Sequence, residues 1–207
     1  MTAGGSLAVG AIDTNGGDIT LAGDDFTLSG LIDAGAGTFT ILGKSGETIG
    51  LDGTTANTTA KTVSTICDNS NCGLTLVQSE LSAITASKLV IGDSSSGEMY
   101  IDGVNLAHIS GGVTLSSSGS NGSVEFGTGD TTLKLATINA GDGITINGNV
   151  TTEFPSTFNA DYDENGSGTF TMAQLKGLSS SGNASIAITT NDISISGSIN
   201  SGTGSTT

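Results

Sequence analysis

The stretch IAITTNDISI at residues 186–195 contains two short triplets in which apolar residues alternate with small or polar ones. Alternation with a period of two is typical of a β-strand that buries one face. The Asn and Asp between the triplets, and the Ser and Gly that follow them, favour turns. This stretch therefore predicts very short strands that are separated by tight turns.

Triplets of the same kind recur along the whole chain. They include ITL at 19–21, FTI at 39–41, LTL at 74–76, VTL at 113–115, ITI at 144–146 and FTM at 170–172. Such short strands bury their edges when successive coils stack, because each strand then pairs with the strands above and below. The 33 glycines supply the corners, and only 4% of residues are aromatic, which leaves little for a sandwich core.

We therefore expect an all-β fold, a parallel β-solenoid of roughly ten short coils. At about 4.8 Å per coil it would form a rod on the order of 50 Å long. Tandem β-sandwiches, which also use short strands at regular spacing, are the alternative.

A shift of about 94 residues aligns many of these segments with one another. The triplet at 19–21 aligns with that at 113–115, and MYIDG at 99–103 aligns with ISISG at 193–197. This self-similarity predicts one continuous solenoid of two tandem units, at about residues 13–106 and 107–201. The pattern continues to the last residues, so we expect a fragment of a much larger protein.

The charge balance restricts the classes of partner. The chain has 20 acidic residues against 5 Lys, no Arg and a net charge of −15. Nucleic acid is therefore an unsuitable partner, because phosphate binding needs clustered Lys and Arg. No stretch approaches the roughly 20 apolar residues of a membrane span, so we expect no membrane insertion.

The segment ELSAITASKLVIG at 80–92, with the Gly turn and strand that follow it, resembles a recurring segment of filamentous-haemagglutinin-like bacterial adhesins. The matching positions are Glu80, Leu81, Ile84, Ala86, Leu89, Ile91 and Gly92. The resemblance implies a right-handed parallel β-helix within a giant exported surface protein. These residues are structural in that family, so it implies no catalytic residue.

The function implied by the resemblance is that of a non-enzymatic stalk or adhesion segment at the bacterial cell surface, outside the cell. Its expected partners are a neighbouring cell surface, carbohydrate, other adhesin segments and further coils of the parent protein. A β-helical polysaccharide lyase or glycosidase is one alternative, although the absence of Arg disfavours a lyase. A calcium-stabilised repeat module is the other alternative.

The stretch DYDENGSG at 161–168 matches the opening of a calcium-binding loop. Asp161, Asp163 and Asn165 occupy the first, third and fifth ligand positions, and Gly166 supplies the turn. Met172 stands where the bidentate Glu is required, so we expect a weak calcium site at most. An acidic turn closed by Asx side chains is the structural alternative. We expect no other cofactor.

The two cysteines, Cys67 and Cys72, flank a short loop. A disulfide between them fits an exported protein, and two buried thiols are the alternative. His108 has no nucleophile motif to accompany it, so we expect it to be a turn or surface residue.

Overall fold

The computed structural model describes residues 7–52, 72–119 and 121–207, and these residues form an all-β protein with almost no helix. Seven parallel strands form sheet 1, in the following stacking order. They are β3 (Ile19–Ala22), β6 (Thr38–Leu42), β10 (Lys88–Ile91), β13 (Val113–Ser117), β16 (Ala136–Ala140), β19 (Ser156–Asn159) and β22 (Ile186–Thr189).

Sheet 2 also has seven parallel strands and runs alongside. They are β8 (Cys72–Val77), β7 (Thr48–Asp52), β11 (Met99–Asp102), β14 (Val124–Phe126), β17 (Ile144–Ile146), β20 (Thr169–Met172) and β23 (Asp192–Ile195). Sheet 3 has five. They are β12 (Asn105–Leu106), β15 (Thr131–Leu133), β18 (Val150–Thr152), β21 (Gly177–Ser180) and β24 (Ser198–Asn200).

The remaining elements are short. A three-stranded sheet contains β2 (Ile12–Asp13), β5 (Ile32–Asp33) and β9 (Ile84–Thr85), and β1 (Leu7–Val9) pairs with β4 (Phe26–Leu28). Among the described residues there is a single helix, α1 (Gln78–Leu81). The prediction of an all-β protein with stacked parallel strands is confirmed.

Successive strands along the chain belong to different sheets. From β13 the chain passes to β14 in sheet 2, then to β15 in sheet 3, and returns to sheet 1 as β16. Val113 consequently pairs in parallel with Ala136, and Thr137 pairs with Thr157, 20 residues further along. The arrangement is consistent with a β-solenoid whose turns take about 20 to 30 residues, as the pairs Thr137–Thr157 and Thr157–Ala187 show.

One strand interrupts this order. β7 pairs with β11 on one side and with β8 on the other, so β8 lies on the side of β7 away from the later strands. Because this insertion occupies the chain between β7 and β10, Phe39 pairs with Leu89, 50 residues later. The two long sheets therefore contain seven strands each. This is fewer than the roughly ten coils expected from an uninterrupted period of about 20 residues.

The stacking is continuous across the boundary expected between the two tandem units. Near residue 106, β10 pairs with β13 and β11 pairs with β14 without a register shift. The shift of about 94 residues relates strands of the same sheet. It corresponds to three strand positions between β3 and β13 but to four between β11 and β23, so it does not match a constant number of coils. The two-unit division stays a prediction.

The core lies between the sheets and is filled by the apolar member of each alternation. In β13, for example, Val113 and Leu115 are buried whereas Thr114 faces outward. Three of the few aromatic residues form a run inside this core. The ring centroid of Phe158 lies 6.5 Å from that of Phe126 and 6.3 Å from that of Phe170, so one ring of sheet 1 bridges two rings of sheet 2.

Candidate functional site

The loop at 161–168 is closed by its own polar side chains. Asp161 Oδ1 accepts a hydrogen bond from the Gly166 amide at 3.2 Å, and Asn165 Nδ2 donates to Asp163 Oδ2 at 2.8 Å. Asn165 Oδ1 in turn accepts from the Ser167 amide at 2.9 Å. These contacts are those of an Asx-type turn. All three predicted calcium ligands lie in this one loop, and each already accepts or donates a hydrogen bond there.

One oxygen of the loop has no partner. Asp163 Oδ1 is shielded from solvent and makes no hydrogen bond. A buried oxygen without a donor is unfavourable unless a proton, a water or a cation compensates it. Among the described residues, no group of three or more His, Cys, Asp or Glu side chains is placed to hold a metal ion. The weak calcium site stays a prediction.

The predicted disulfide lies outside the described residues. Cys67 belongs to the segment between residues 53 and 71, and Cys72 enters the description only as the first residue of β8.

The residues that carry the adhesin resemblance lie where the inserted segment rejoins the stack. The large apolar ones are fully buried in the core, and Ala86 is 7% exposed. The large ones are Leu81, Ile84, Leu89 and Ile91, none more than 1% exposed. Glu80 lies at the helix and joins two distant segments, because Oε1 accepts from the Leu28 amide at 2.9 Å and Oε2 from the Val77 amide at 3.0 Å. Gly92 follows β10 with φ +75°, a conformation that favours glycine.

Helix α1 also lies at the free edge of sheet 3. β12 is the end strand of that sheet, and the Gln78 carboxamide occupies its open edge. Gln78 Oε1 accepts from the Asn105 amide at 2.7 Å, and Nε2 donates to the Asn105 carbonyl at 3.0 Å. A side chain thus takes the place of a neighbouring strand. The shallow groove beside it, about 780 Å³, is lined in part by His108, which is exposed.

Sheet 2 carries a tyrosine and three carboxylates that the sequence patterns did not bring together. Tyr100 is only 1% exposed. Its burial is unexpected, because it alternates along β11 with the core residues Met99 and Ile101 and so occupies the opposite side of the strand. It pairs in register with Glu125 of β14, and Asp102, two residues further along β11, pairs with Asp52 of β7 on the other side. We name these four residues the Tyr100 cluster. The repeated Leu/Ile-Asp-Gly at 51–53 and 101–103 was the one signal in the sequence that could have indicated it.

Burial and negative charge control the chemistry of this cluster. Burial raises the pKa of Tyr100 to about 12, with further contributions from the carboxylates of Asp102, Glu125 and Asp52. Burial also raises the pKa of Glu125, against the opposing effect of the Asn147 amide 3.0 Å away. At neutral pH, Tyr100 therefore remains a neutral hydroxyl.

Asp102 of the Tyr100 cluster also accepts a hydrogen bond from the backbone. Its Oδ1 accepts a hydrogen bond from the Gly129 amide at 2.6 Å, across to the next level of the stack. One carboxylate of the cluster therefore holds a turn of the backbone.

Tyr100 is expected to make the protein less stable in alkali. Its pKa of about 12 in the folded protein exceeds the ordinary 10.0, so the folded state binds the proton more tightly. The resulting stability is fully present below pH 10 and is lost as pH rises towards 12. Urea denaturation at several pH values should show this loss for the natural sequence, and Tyr100→Phe should reduce it. An equal loss in the Phe variant would contradict the assignment.

Comparison of the chain with family models, with curated proteins and with solved structures gave no match in any of the three. In the described part of the chain, no helix has the length and apolar character needed to cross a bilayer. The fold defines the protein's class as all-β, built from stacked parallel strands.

Proposed function

We propose that the chain is a segment of a right-handed parallel β-helix that serves as a non-enzymatic stalk in a large exported bacterial surface protein. The observation that carries the proposal is the continuous parallel pairing of strands along sheets 1 and 2, in which the β7–β8 pair contains a register shift between Thr48 and Ile49. Seven strands at about 4.8 Å give a rod of roughly 30 Å, to which each further coil would add one strand spacing. Such an element holds whatever lies beyond it at a fixed distance from its anchor.

The resemblance of the segment 80–92 to filamentous-haemagglutinin-like adhesins supports the proposed surface location and the contact with neighbouring cells or their carbohydrates. In this proposal, the matching residues act by rejoining an inserted strand to the stack. Glu80 holds two amides from segments far apart in sequence, and the apolar residues fill the core.

The open edge at the C-terminal side supports the role of further coils as partners. β23 ends sheet 2, and its Ile193 and Ile195 are 58% and 41% exposed. They pair in register with the fully buried Phe170 and the nearly buried Met172. An added coil would bury them in the same way, since the apolar columns of sheet 2 stop at these two side chains.

The stalk proposal is tested by joining two and three copies of residues 7–207 in tandem and measuring their length by small-angle scattering and electron microscopy. We expect the length to increase by the same increment for each added copy, with one unfolding transition of rising midpoint. Separate globules joined by bent connections would contradict a continuous rod. Release of unsaturated or shortened products from polyuronates or other glycans would contradict the non-enzymatic role.

A calcium-stabilised module is the second candidate, and the buried, unpartnered Asp163 Oδ1 is the observation that favours it. For a site of millimolar affinity, a tenfold excess of calcium over Kd contributes about 1.4 kcal/mol, or about 3–6 °C in Tm. Asp161→Asn should remove this increment, and Asp130→Asn, at an exposed position outside this loop, should retain it. A Tm that calcium leaves unchanged would exclude the module.

A further inference from the structure

The backbone pairing of the stack is interrupted on two of its faces but not on the third. Sheet 1 runs from β3 to β22 without a break, whereas sheet 2 begins at β8 and sheet 3 begins at β12. In the described part of the chain, β4 belongs with β1 to a separate two-stranded sheet, and the three-stranded sheet ends at β9. β8 and β9 flank helix α1 in the sequence, so both interruptions lie at this point. We name the two interruptions, between β4 and β8 and between β9 and β12, the seam.

The inserted strand β8 accounts for the seam. β4 contacts β8, and β8 is followed by β7 and β11 on the side of sheet 2. Two strands therefore lie between β4 and β11, whereas β6 is the one strand between β3 and β10 in sheet 1. Because neighbouring strands are about 4.8 Å apart on every face, the side of sheet 2 needs one spacing more than sheet 1 over the same coils. The strands cannot all stay in step, and pairing is lost beside α1.

Two carboxylates bridge the seam on the side of sheet 2. Asp25 Oδ1, next to β4, accepts a hydrogen bond from the Thr75 amide of β8 at 3.1 Å. Glu80 Oε1 accepts from the Leu28 amide of β4 at 2.9 Å, and its Oε2 accepts from the Val77 amide of β8 at 3.0 Å. Glu80 thus holds one amide on each side of the seam. Side chains supply at isolated points the acceptors that the carbonyl groups of a paired strand would supply.

The seam is more open on the side of sheet 3. A groove of about 780 Å³ is lined by Ile84 and Thr85 of β9 and by Asn105 of β12, so the two strands face each other across it. Gln78 also lines this groove, and its carboxamide makes two hydrogen bonds to the backbone of Asn105. One side chain and a groove therefore lie where a ladder of backbone hydrogen bonds would join two paired strands.

Sheet 1 is the face on which backbone pairing crosses the seam. β6 pairs with β10 from Thr38 opposite Lys88 to Ile41 opposite Ile91. Apolar side chains still fill the core across the seam, so the closed arrangement is the stable one. Each level of a stacked repeat is stabilised mainly by its interfaces with the levels above and below. Native proteins open locally where such contacts are fewest. The interface at the seam lacks the ladder on two faces and is therefore the weakest in the stack.

We propose that the seam is a built-in point of opening, at which the coils that contain β1 to β5 separate as one unit while β10 to β24 stay folded. Sheet 1 provides the hinge at β6. Glu80 holds the unit closed, because it bonds an amide on each side. The opening is a rare event in the native protein, so the main unfolding transition remains single. The inference rests on the strand pairing and does not depend on the proposed stalk function, although in a stalk the seam would set where the rod bends.

Native-state hydrogen exchange of the 207-residue chain, measured by mass spectrometry of its peptides, tests the proposal. We expect the amides of residues 19–33 to exchange together through one opening, at least about tenfold faster than those of β13, β16 and β19. Protection should rise in one step at the seam. Protection that rises gradually from residue 7, as at a fraying terminus, would overturn the proposal. Equal protection on both sides of the seam would do the same.

Glu80→Gln tests the residue that holds the unit closed. A glutamine offers one carbonyl oxygen to two amides, and its NH2 group, a donor, faces the second amide. We expect exchange in residues 19–33 to become about tenfold faster or more, because a backbone amide loses its charged acceptor. Exchange in β13, β16 and β19 should not change. Faster exchange of all strands to the same extent would contradict an opening confined to the seam.

Asp25→Asn is the matched control for Glu80→Gln. It removes the same charge from the seam, but the amide oxygen of asparagine can still accept the hydrogen bond from the Thr75 amide. Exchange in residues 19–33 should therefore stay within about threefold of the natural sequence. Circular dichroism verifies that both variants are folded. If the two variants accelerated exchange equally, charge rather than the two bonds of Glu80 would hold the seam, and the proposed role of Glu80 would be wrong.

Discussion

Replacement of Phe158 by alanine is expected to lower the free energy of unfolding by about 3–5 kcal/mol. The ring is fully buried, and it is the middle one of three, with its centroid 6.5 Å from Phe126 and 6.3 Å from Phe170. Its removal deletes the apolar contact between sheets 1 and 2 at this level and leaves a cavity that the strands cannot close without breaking their pairing. Urea denaturation followed by circular dichroism measures the change.

Phe154→Ala is the control for Phe158→Ala. Phe154 lies four residues earlier in the sequence, but its side chain is 43% exposed and the Lys134 ammonium lies 5.8 Å above its ring. Its loss should cost about 1 kcal/mol or less. If both variants lost the same stability, the ring of Phe158 would not be the bridge between the two sheets.

Gly92→Ala is the second substitution with a large expected effect, a loss of about 3 kcal/mol or more. Gly92 has φ +75°, which alone is unfavourable for alanine. In addition, a Cβ there would overlap the carbonyl oxygen of Ser116, which belongs to the next level of the stack. Because the neighbour is backbone within a paired strand, the overlap cannot be relieved by a change of rotamer.

Gly46→Ala separates the two causes. Gly46 lies at the corresponding corner one level below, between β6 and β7, and has nearly the same φ of +78°. A Cβ there would meet nothing within 4 Å. Its replacement should therefore cost only the backbone strain, about 1–2 kcal/mol. Thermal or urea unfolding of the two variants compares them directly, and equal losses would mean that the close approach of levels at Gly92 does not limit stability.

The short strands were predictable because their signal is local. The triplets at 113–115, 144–146 and 170–172 each show the period-two alternation that a half-buried strand requires, and each belongs to a strand of the structure. The parallel stacking followed from their shortness and from the many turn residues. The position of β8 did not, since the alternation in LTL at 74–76 indicates a strand but not the side of β7 on which it pairs.

The candidate sites were likewise predictable from the sequence only in part. The loop at 161–168 could be identified as an acidic turn, because Asx side chains bond amides two to five residues away. The Tyr100 cluster could not, because Asp52 and Asp102 lie 50 positions apart and become neighbours only through the pairing of β7 with β11. The contact of Glu80 with the Leu28 amide likewise joins segments 52 residues apart.

Local patterns predict that this chain forms short strands and turns, and that one side of most strands is apolar, because alternation and turn chemistry act over a few residues. Which strands are neighbours is a property of the tertiary structure, and so are the seven-strand sheets, the inserted β8 and the Tyr100 cluster. The physical reason is that pairing partners depend on how many residues each turn of the chain consumes. Any apolar triplet fits the core equally well, so the local pattern does not distinguish one neighbour from another.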